Sequence, residues 1–432
     1  MAVKYKSGRS HSVWLDLASV PVPWYDFPVD INLLSVSDMK IYQINTTYGI
    51  GSTGVIVKQL SEASAASGHV CRCASGYQTS DPSIFTVQSH TEYLLSDFAS
   101  VIFGNEGKTS ISATERLIAD IDTFRPDILH LHNIHGHYLH AGMLFDFIRS
   151  NRIRTVWTLH DCWPFTGRCP YFTLTNCDKW KSGCNHCAYS KKLYPKSLFD
   201  TSRSMWNFKR SCFSDVQDMT LVTPSRWLYG LVKESFLSGY GCEVIPNGID
   251  SGIFYPGNEQ RPENDSYTVL GVSFDWGFRK GLDVFIRLAG LLDDRFRIVL
   301  VGTDDEIDRS LPKNIISIHR TESRQQLADL YRSADVFVNP TREDNYPTVN
   351  LEALACGTPV ITFDTGGSPE ALRPETGIIV PCDDTTRLAE AIRSVCIDKT
   401  ITKSACRTEY LRLDNRHCID SYLTLYGKIL YK

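Results

Sequence analysis

The chain predicts an α/β protein made of two doubly wound, Rossmann-like domains facing each other across a cleft. Three observations predict it. From Met39 onward, short apolar β-rich runs alternate with amphipathic helical stretches. A second such series opens near residue 267, after a joint at Glu243–Asp250 (EVIPNGID). The 432 residues are enough for two full-sized cores. Strands that read as continuous apolar runs separated by helices belong to parallel sheets covered on both faces.

In chain order, residues 1–38 lack helical periodicity, are interrupted by Pro21, Pro23 and Pro28, and read as an N-terminal extension. The first domain is expected over 39–243. Its strands are MKIYQINTT, HVCRCASG, DILHLHN, RTVWTLHD and LVTPS, with helices at Val55–Ala66 and Thr114–Thr123 between them. The second domain is expected over 244–417, with strands YTVLGVSF, RIVLVGT, IISIH, DVFVNPT, PVITF and GIIVP. Residues 418–432 read as a closing helix.

Bulk properties narrow the function classes. A net charge of −4 argues against nucleic-acid binding, which wants a basic excess. No apolar run approaches the length that crosses a bilayer. The N-terminus, broken by Asp16, makes a poor secretory signal. Fourteen cysteines without such a signal point to reduced thiols and a cytoplasmic location. Asp120-Ile121-Asp122 has the spacing of a metal-binding acidic pair, but it falls inside a helical run and reads as surface helix.

The most informative stretch is Glu343–Ile361, EDNYPTVNLEALACGTPVI. Asp344 sits on a loop before a helical run, Val349–Cys356, and Glu352 sits inside that run. The first N–H groups of a helix lack partners and attract phosphate. A carboxylate one to two turns along then meets the hydroxyls of whatever carries the phosphate. The arrangement suits a nucleotide-sugar.

This segment resembles the donor-binding signature of the retaining family 4 glycosyltransferases of the GT-B fold, in particular their bacterial exopolysaccharide and colanic-acid-type subgroup. The family normally has two Glu at these positions; Asp344 departs from that, beside Glu343. The resemblance implies that Glu352 accepts from the ribose hydroxyls and that Asp344, or Glu343, binds the transferred sugar. Tyr346, Thr348 and Val349 offer N–H groups to sugar and phosphate. The family starts its first strand almost at its initiator Met, which implies that residues 1–38 are dispensable and Met39 the functional start; the alternative is an ordered extension that packs Trp14 and Trp24 onto the domain.

Other motifs fit the same picture. Gly49 and Gly51, in GIGSTG, form a glycine-rich strand-to-helix turn, either a tight turn alone or one able to approach a crowded ligand, and the resemblance turns it toward the donor diphosphate and the acceptor. Arg279 and Lys280 precede Gly281 and a helix, a cationic pair suited to neutralising a diphosphate leaving group. Lys280 matches the family's Lys. The family's upstream Arg is missing, since Gly271 is followed by Val272, and Arg279 is the candidate replacement. Gly302 and Arg320 match turns beside the nucleotide. His160 ends a strand where ligands gather in open sheets and matches the family's His near the anomeric centre. His132, Asn133 and His135, at the neighbouring strand edge, are candidates for the acceptor side.

Cys169, Cys177, Cys184 and Cys187 crowd one loop within an insertion at 162–190. Structural zinc, free thiols and disulfides all remain open for them. Downstream, Leu198/Phe199, Met205/Trp206 and Cys212/Phe213 recur at heptad spacing, either as a helix packed on its own domain or as a surface for peripheral membrane contact. The expectation is a metal-independent, retaining hexosyl transfer from a UDP- or GDP-sugar to an oligosaccharide or lipid-linked acceptor, in bacterial capsule, lipopolysaccharide or other surface polysaccharide synthesis. The alternatives are a GT-B sugar-nucleotide epimerase, or a zinc-stapled nucleotide-sugar-binding protein without catalysis.

Overall fold

Two parallel sheets carry the architecture. The computed structural model describes residues 38–189, 196–257 and 266–431, so the expectations for residues 1–37 lie outside the described residues. The first sheet contains β1 (Lys40–Asn45), β2 (Val70–Ser75), β3 (Phe85–Thr86), β4 (Ile128–Leu131), β5 (Thr155–Thr158), β6 (Met219–Thr223) and β7 (Gly241–Val244). Their order is β3-β2-β1-β4-β5-β6-β7. The second sheet contains β8 (Tyr267–Val272), β9 (Phe296–Val301), β10 (Ile315–Ile318), β11 (Val336–Asn339), β12 (Val360–Phe363) and β13 (Gly377–Val380). Its order, β10-β9-β8-β11-β12-β13, repeats the same doubly wound pattern.

In each sheet the strand order reverses beside the first strand. In the first, Ile41 of β1 lies between Cys71 of β2 and Ile128 of β4. In the second, Val269 of β8 lies between Ile298 of β9 and Val336 of β11. Helices leave the sheet in opposite directions at such a reversal, which opens a crevice at the strands' carboxyl ends. The strands are buried on both faces, as β4, β5, β11 and β12 illustrate. That burial explains why they read as apolar runs without alternation.

The C-terminal helix, Asn415–Leu430, packs on the first sheet. There the Tyr426 hydroxyl lies 2.7 Å from His130 Nδ1, and the Tyr422 hydroxyl lies 2.9 Å from Thr158 Oγ1. Everything from Asp38 onward forms one compact unit.

Several local features differ from the sequence reading. The first helix begins at Gly51 rather than Val55. The glycine turn continues directly into it, and Gly49 N–H closes on Gly54 O at 2.8 Å. The joint at Glu243 is the end of an edge strand, β7. The helix His90–Phe103 has no counterpart in the sequence reading, although Ser89 and Glu92 form its capping box. Asp120-Ile121-Asp122 lies in the helix Ile111–Phe124, where Asp120 is held by Arg72 at 2.5 Å and by the Tyr42 hydroxyl at 2.6 Å.

The heptad residues divide. Met205, Trp206 and Phe213 are buried on the helix Ser202–Phe213, whereas Leu198 and Phe199 precede it and stay exposed.

Candidate active site

The loop 341–347 is fixed from behind by a buried arginine. Arg342 is almost fully buried and spans Asp283 at 2.8 Å and Asp383 at 2.6 Å. With its charge neutralised on that side, the following residues turn the other way. Asp344 Oδ2 lies 2.5 Å from Lys280 Nζ, and both side chains are largely shielded. One turn of chain later, Pro347 opens the helix Thr348–Ala355 without any side-chain cap. The Asn350 N–H turns back to the Pro347 carbonyl at 3.1 Å, which leaves the N–H groups of Thr348 and Val349 for a ligand or water. Tyr346 is buried; Thr348 and Val349 are partly exposed at the helix start.

Glu352 lies inside that helix and accepts from the Tyr331 hydroxyl at 3.0 Å. Burial pushes its carboxyl up to about 7, while the tyrosine hydrogen bond and Arg324 pull the other way. A carboxyl held this far from its ordinary range, with one oxygen committed to Tyr331, is prepared for a hydrogen-bonding partner on the other oxygen.

Glu343 points elsewhere. Its Oε1 accepts from Leu174 N–H at 2.8 Å and from the Thr173 hydroxyl at 3.2 Å. Both donors belong to the cysteine-bearing insertion of the first domain. The two adjacent acids therefore do different things. Asp344 faces the lysine, and Glu343 ties the insertion across the cleft.

Arg279 pairs with Asp275 at 3.0 Å and donates to the Glu343 carbonyl at 3.3 Å. Its guanidinium stands over the Tyr171 ring, 5.8 Å from the centroid. It thus lies beside the Lys280–Asp344 pair and contacts the same insertion. Gly302 has a positive φ, and a Cβ there would fall 1.7 Å from Ser273 O. Only glycine permits that turn after β9 to lie against the strand end. Arg320 is exposed beyond β10.

On the facing domain, His160 follows β5 and is partly exposed. Its carbonyl accepts from Asn345 Nδ2 at 3.0 Å, and Asn345 Oδ1 in turn meets the Ser225 hydroxyl. The helix Arg226–Glu234 also presents its first N–H groups, Arg226 and Trp227, to the Glu370 carboxylate at 2.8 and 2.7 Å. Sequence reasoning misses Asn345, Ser225 and Glu370. Their role comes from contacts between domains, for which no local pattern exists.

His132 does not line an open acceptor face. It is 1% exposed, and its Nδ1 lies 3.2 Å from His160 Nε2. Burial holds both rings neutral, His160 with a value near 4 and His132 well below its ordinary range. The physical reason is the apolar packing of β4, which leaves only the loop after it near the surface. Asn133 is partly exposed there, with its N–H on Asn45 Oδ1 at 3.2 Å. His135 is partly exposed and 2.8 Å from Asp161. Burial opposes the charge on His135, but Asp161 wins and raises it. Gly49 and Gly51, both at positive φ, sit on the neighbouring loop. That loop is joined to 133–135 by the Thr46 hydroxyl, 3.1 Å from Asn133 O and from His135 O.

Among the described residues no three His, Cys, Asp or Glu side chains are grouped to hold a metal ion, and the thiols of Cys169, Cys177, Cys184 and Cys187 are free. Cys184 Sγ accepts from Gly167 N–H at 3.2 Å. Burial raises the Cys169 and Cys184 thiols to about 12 and about 11. What anchors the insertion here is apolar and aromatic: Trp180 and Phe165 are buried with ring centroids 5.2 Å apart.

Residues 53–252 match the family model described as Glycosyltransferase Family 4, and residues 268–398 match Glycosyl transferases group 1. A colanic acid biosynthesis glycosyl transferase, WcaC, of Escherichia coli (strain K12) is 26% identical over 282 residues, 62% of this chain and 67% of that protein. A D-inositol 3-phosphate glycosyltransferase of Mycobacteroides abscessus is 33% identical over 209 residues, 44% of this chain and 46% of that one. The match thus spans two thirds of WcaC and less than half of the latter. Among solved structures, sucrose-phosphate synthase from Thermosynechococcus elongatus aligns with a TM-score of 0.65 at 18% identity, over 90% of this chain and 98% of that one. WaaG, a glycosyltransferase involved in lipopolysaccharide biosynthesis, aligns at 0.58 and 15%, over 89% and 99%. At such identities these two speak for the fold.

Proposed function

Because the chain belongs to the family 4 glycosyltransferases of the GT-B fold, in the colanic-acid-type subgroup, we propose that it transfers a hexose with retention. The donor is a UDP- or GDP-sugar and the acceptor a lipid-linked oligosaccharide of a bacterial surface polysaccharide. The observation that carries this reading is the grouping of Lys280, Asp344, Glu352 and the uncapped helix start at Thr348 at the crevice of the second sheet.

In this reading each group has one role. Lys280, with Arg279 beside it, receives the diphosphate together with the N–H groups at Thr348 and Val349. The lysine then exchanges part of its contact with Asp344 for phosphate oxygens, and the freed Asp344 oxygen accepts from the transferred sugar. Glu352 takes the ribose hydroxyls. His160 meets the sugar near the anomeric carbon, and the 133–135 loop with Gly49 and Gly51 bounds the acceptor side. The leaving diphosphate gains negative charge as the sugar becomes oxocarbenium-like. Donors already aimed at its oxygens are then the largest expected source of rate. Side-chain cations and helix dipoles supply this positive charge, and no metal is needed in the proposed step.

A location at the inner face of the cytoplasmic membrane fits the acceptor. No helix among the described residues is long and apolar enough to cross a membrane. Contact is assigned instead to the exposed side chains Leu94, Leu95, Phe98 and Phe103, joined by Leu198 and Phe199. The Leu198 N–H reaches Val101 O at 3.1 Å.

A thermal-shift screen of UDP- and GDP-sugars tests the donor, since a bound donor stabilises by mass action. Turnover with and without acceptor membranes then separates transfer from epimerisation. Absence of any change in melting across both bases would refute the reading, and turnover that needs no acceptor would favour the epimerase.

A further inference from the structure

Three side chains, Gln43, His132 and His160, run in series from the interior of the first sheet to the cleft. Gln43 lies on β1, and its amide is turned with Nε2 toward Cys73 Sγ at 3.9 Å and Oε1 toward His132 Nε2 at 3.3 Å. His132 Nδ1 lies 3.2 Å from His160 Nε2, and the two rings are nearly parallel at 14°. The His132 carbonyl is fixed by Trp157 Nε1 at 3.0 Å. Gln43 and His132 are at most 1% exposed. His160 is the partly exposed end of the series.

Hydrogen-bond roles then follow one from another. An amide oxygen only accepts, so the proton of neutral His132 sits on Nε2. Its Nδ1 carries the lone pair and accepts, so neutral His160 donates through Nε2. The remaining His160 nitrogen, Nδ1, is left unprotonated. We propose that Gln43 and His132 are positioning residues that hold His160 in its Nε2–H form, so that its Nδ1 meets the donor as a hydrogen-bond acceptor.

This rests on the reading that His160 adjoins the donor sugar, and it adds a specificity. An acceptor nitrogen suits a sugar bearing a hydroxyl at that point. It disfavours a sugar bearing a carboxylate there, whose lone pairs would oppose its own. The opposite form would favour the carboxylate.

The surroundings bear on whether the series stays neutral. His160 is faced by Asp161 and His135, which act on it in opposite senses. His132 is faced by His130, whose ring is 4.0 Å away. His130 is closed off by Thr158 and by Tyr426 of the C-terminal helix. Among the described residues, the side-chain hydrogen bonds of His132 go to Gln43 and His160 rather than to a carboxylate. Replacing Gln43 with a glutamate supplies one. An ionised neighbour favours the imidazolium of His132, in which both nitrogens donate. His132 Nδ1–H must then point at His160 Nε2 and reverses the end of the series.

Two measurements test the proposal. In the full chain labelled with nitrogen-15 histidine, long-range nitrogen–proton correlation distinguishes the two neutral forms, and the His160 signals are those lost in His160→Gln. The ligand-free protein near pH 7 is expected to show His160 protonated on Nε2 alone; protonation on Nδ1 overturns the proposal. In transfer assays, Gln43→Glu is expected to lose about tenfold or more in kcat/KM toward the acid side of neutrality relative to the Gln43 enzyme at the same pH, over and above the fall that both share as Glu352 takes up its proton. A folded Gln43→Glu enzyme with an unchanged pH profile also overturns it. The spectrum needs no substrate, so failure of every nucleotide-sugar to react would sink the donor reading while leaving the protonation result to stand or fall alone.

Discussion

Replacing Glu352 with glutamine should make the protein more stable and less able to hold its donor. Burial raises this carboxyl from 4.5 to about 7. In the unfolded chain it ionises near 4.5, so between those values the folded protein binds a proton that the unfolded chain does not. Stability therefore falls as pH rises through that window. A tenfold change in proton affinity corresponds to about 1.36 kcal/mol, so the ionised Glu352 costs on the order of 3 kcal/mol above pH 7. Glutamine keeps the shape and still accepts from Tyr331, but carries no charge. Thermal or denaturant unfolding of the two proteins should coincide near pH 5 and diverge by pH 8, the variant melting higher by roughly 4 °C. Its affinity for the nucleoside diphosphate should fall at least about tenfold, because a charged acceptor is lost. A difference in stability that is the same at both pH values, or a variant that melts lower at pH 8, would refute the reasoning.

Further outcomes follow from the same geometry. Lys280→Ala should lower kcat by about 10²–10³ with an unchanged circular dichroism spectrum; wild-type turnover would contradict the assignment of the leaving group. Glu343→Gln keeps an acceptor for Leu174 and Thr173 and should stay within about threefold of wild type, whereas Asp344→Asn should lose roughly tenfold or more. The reverse ranking in steady-state assays would exchange the roles of the two acids. Vesicles containing anionic lipid should pellet the wild-type chain but not Phe98→Asp/Phe199→Asp, and equal pelleting would remove this face as the membrane contact.

The fold is legible because its strands are buried on both faces and so stand out as apolar runs. Residues such as Leu129, Val156 and Val338, all essentially unexposed, announce a parallel sheet without help from alternation. The edges are harder. β3 is two residues long and β7 is half exposed, so neither has the composition of a core strand. The helix His90–Phe103 hides its nature for a related reason. Its apolar residues Leu94, Leu95 and Phe98 face outward, and no buried stripe at helical spacing is left for periodicity to find. Ser89 and Glu92, at the spacing of a capping box, and Gly104, a left-handed glycine at its end, are the local signs of it.

At the site, type and position are readable while partnership is not. Glu343 and Asp344 are adjacent acids in one motif, and nothing between residues 343 and 352 tells which faces a sugar. The distinction arises about 170 residues away in the chain, where the insertion offers Leu174 N–H and the Thr173 hydroxyl to Glu343. A carboxylate taken up by two donors of the opposite domain has fewer lone pairs to give a ligand. Asp344 is opposed by a lysine that the proposed diphosphate would share. The departure from the family's two glutamates therefore falls on the acid that faces the lysine. In this chain the shorter aspartate is already within reach of the lysine, with Lys280 Nζ 2.5 Å from its carboxylate.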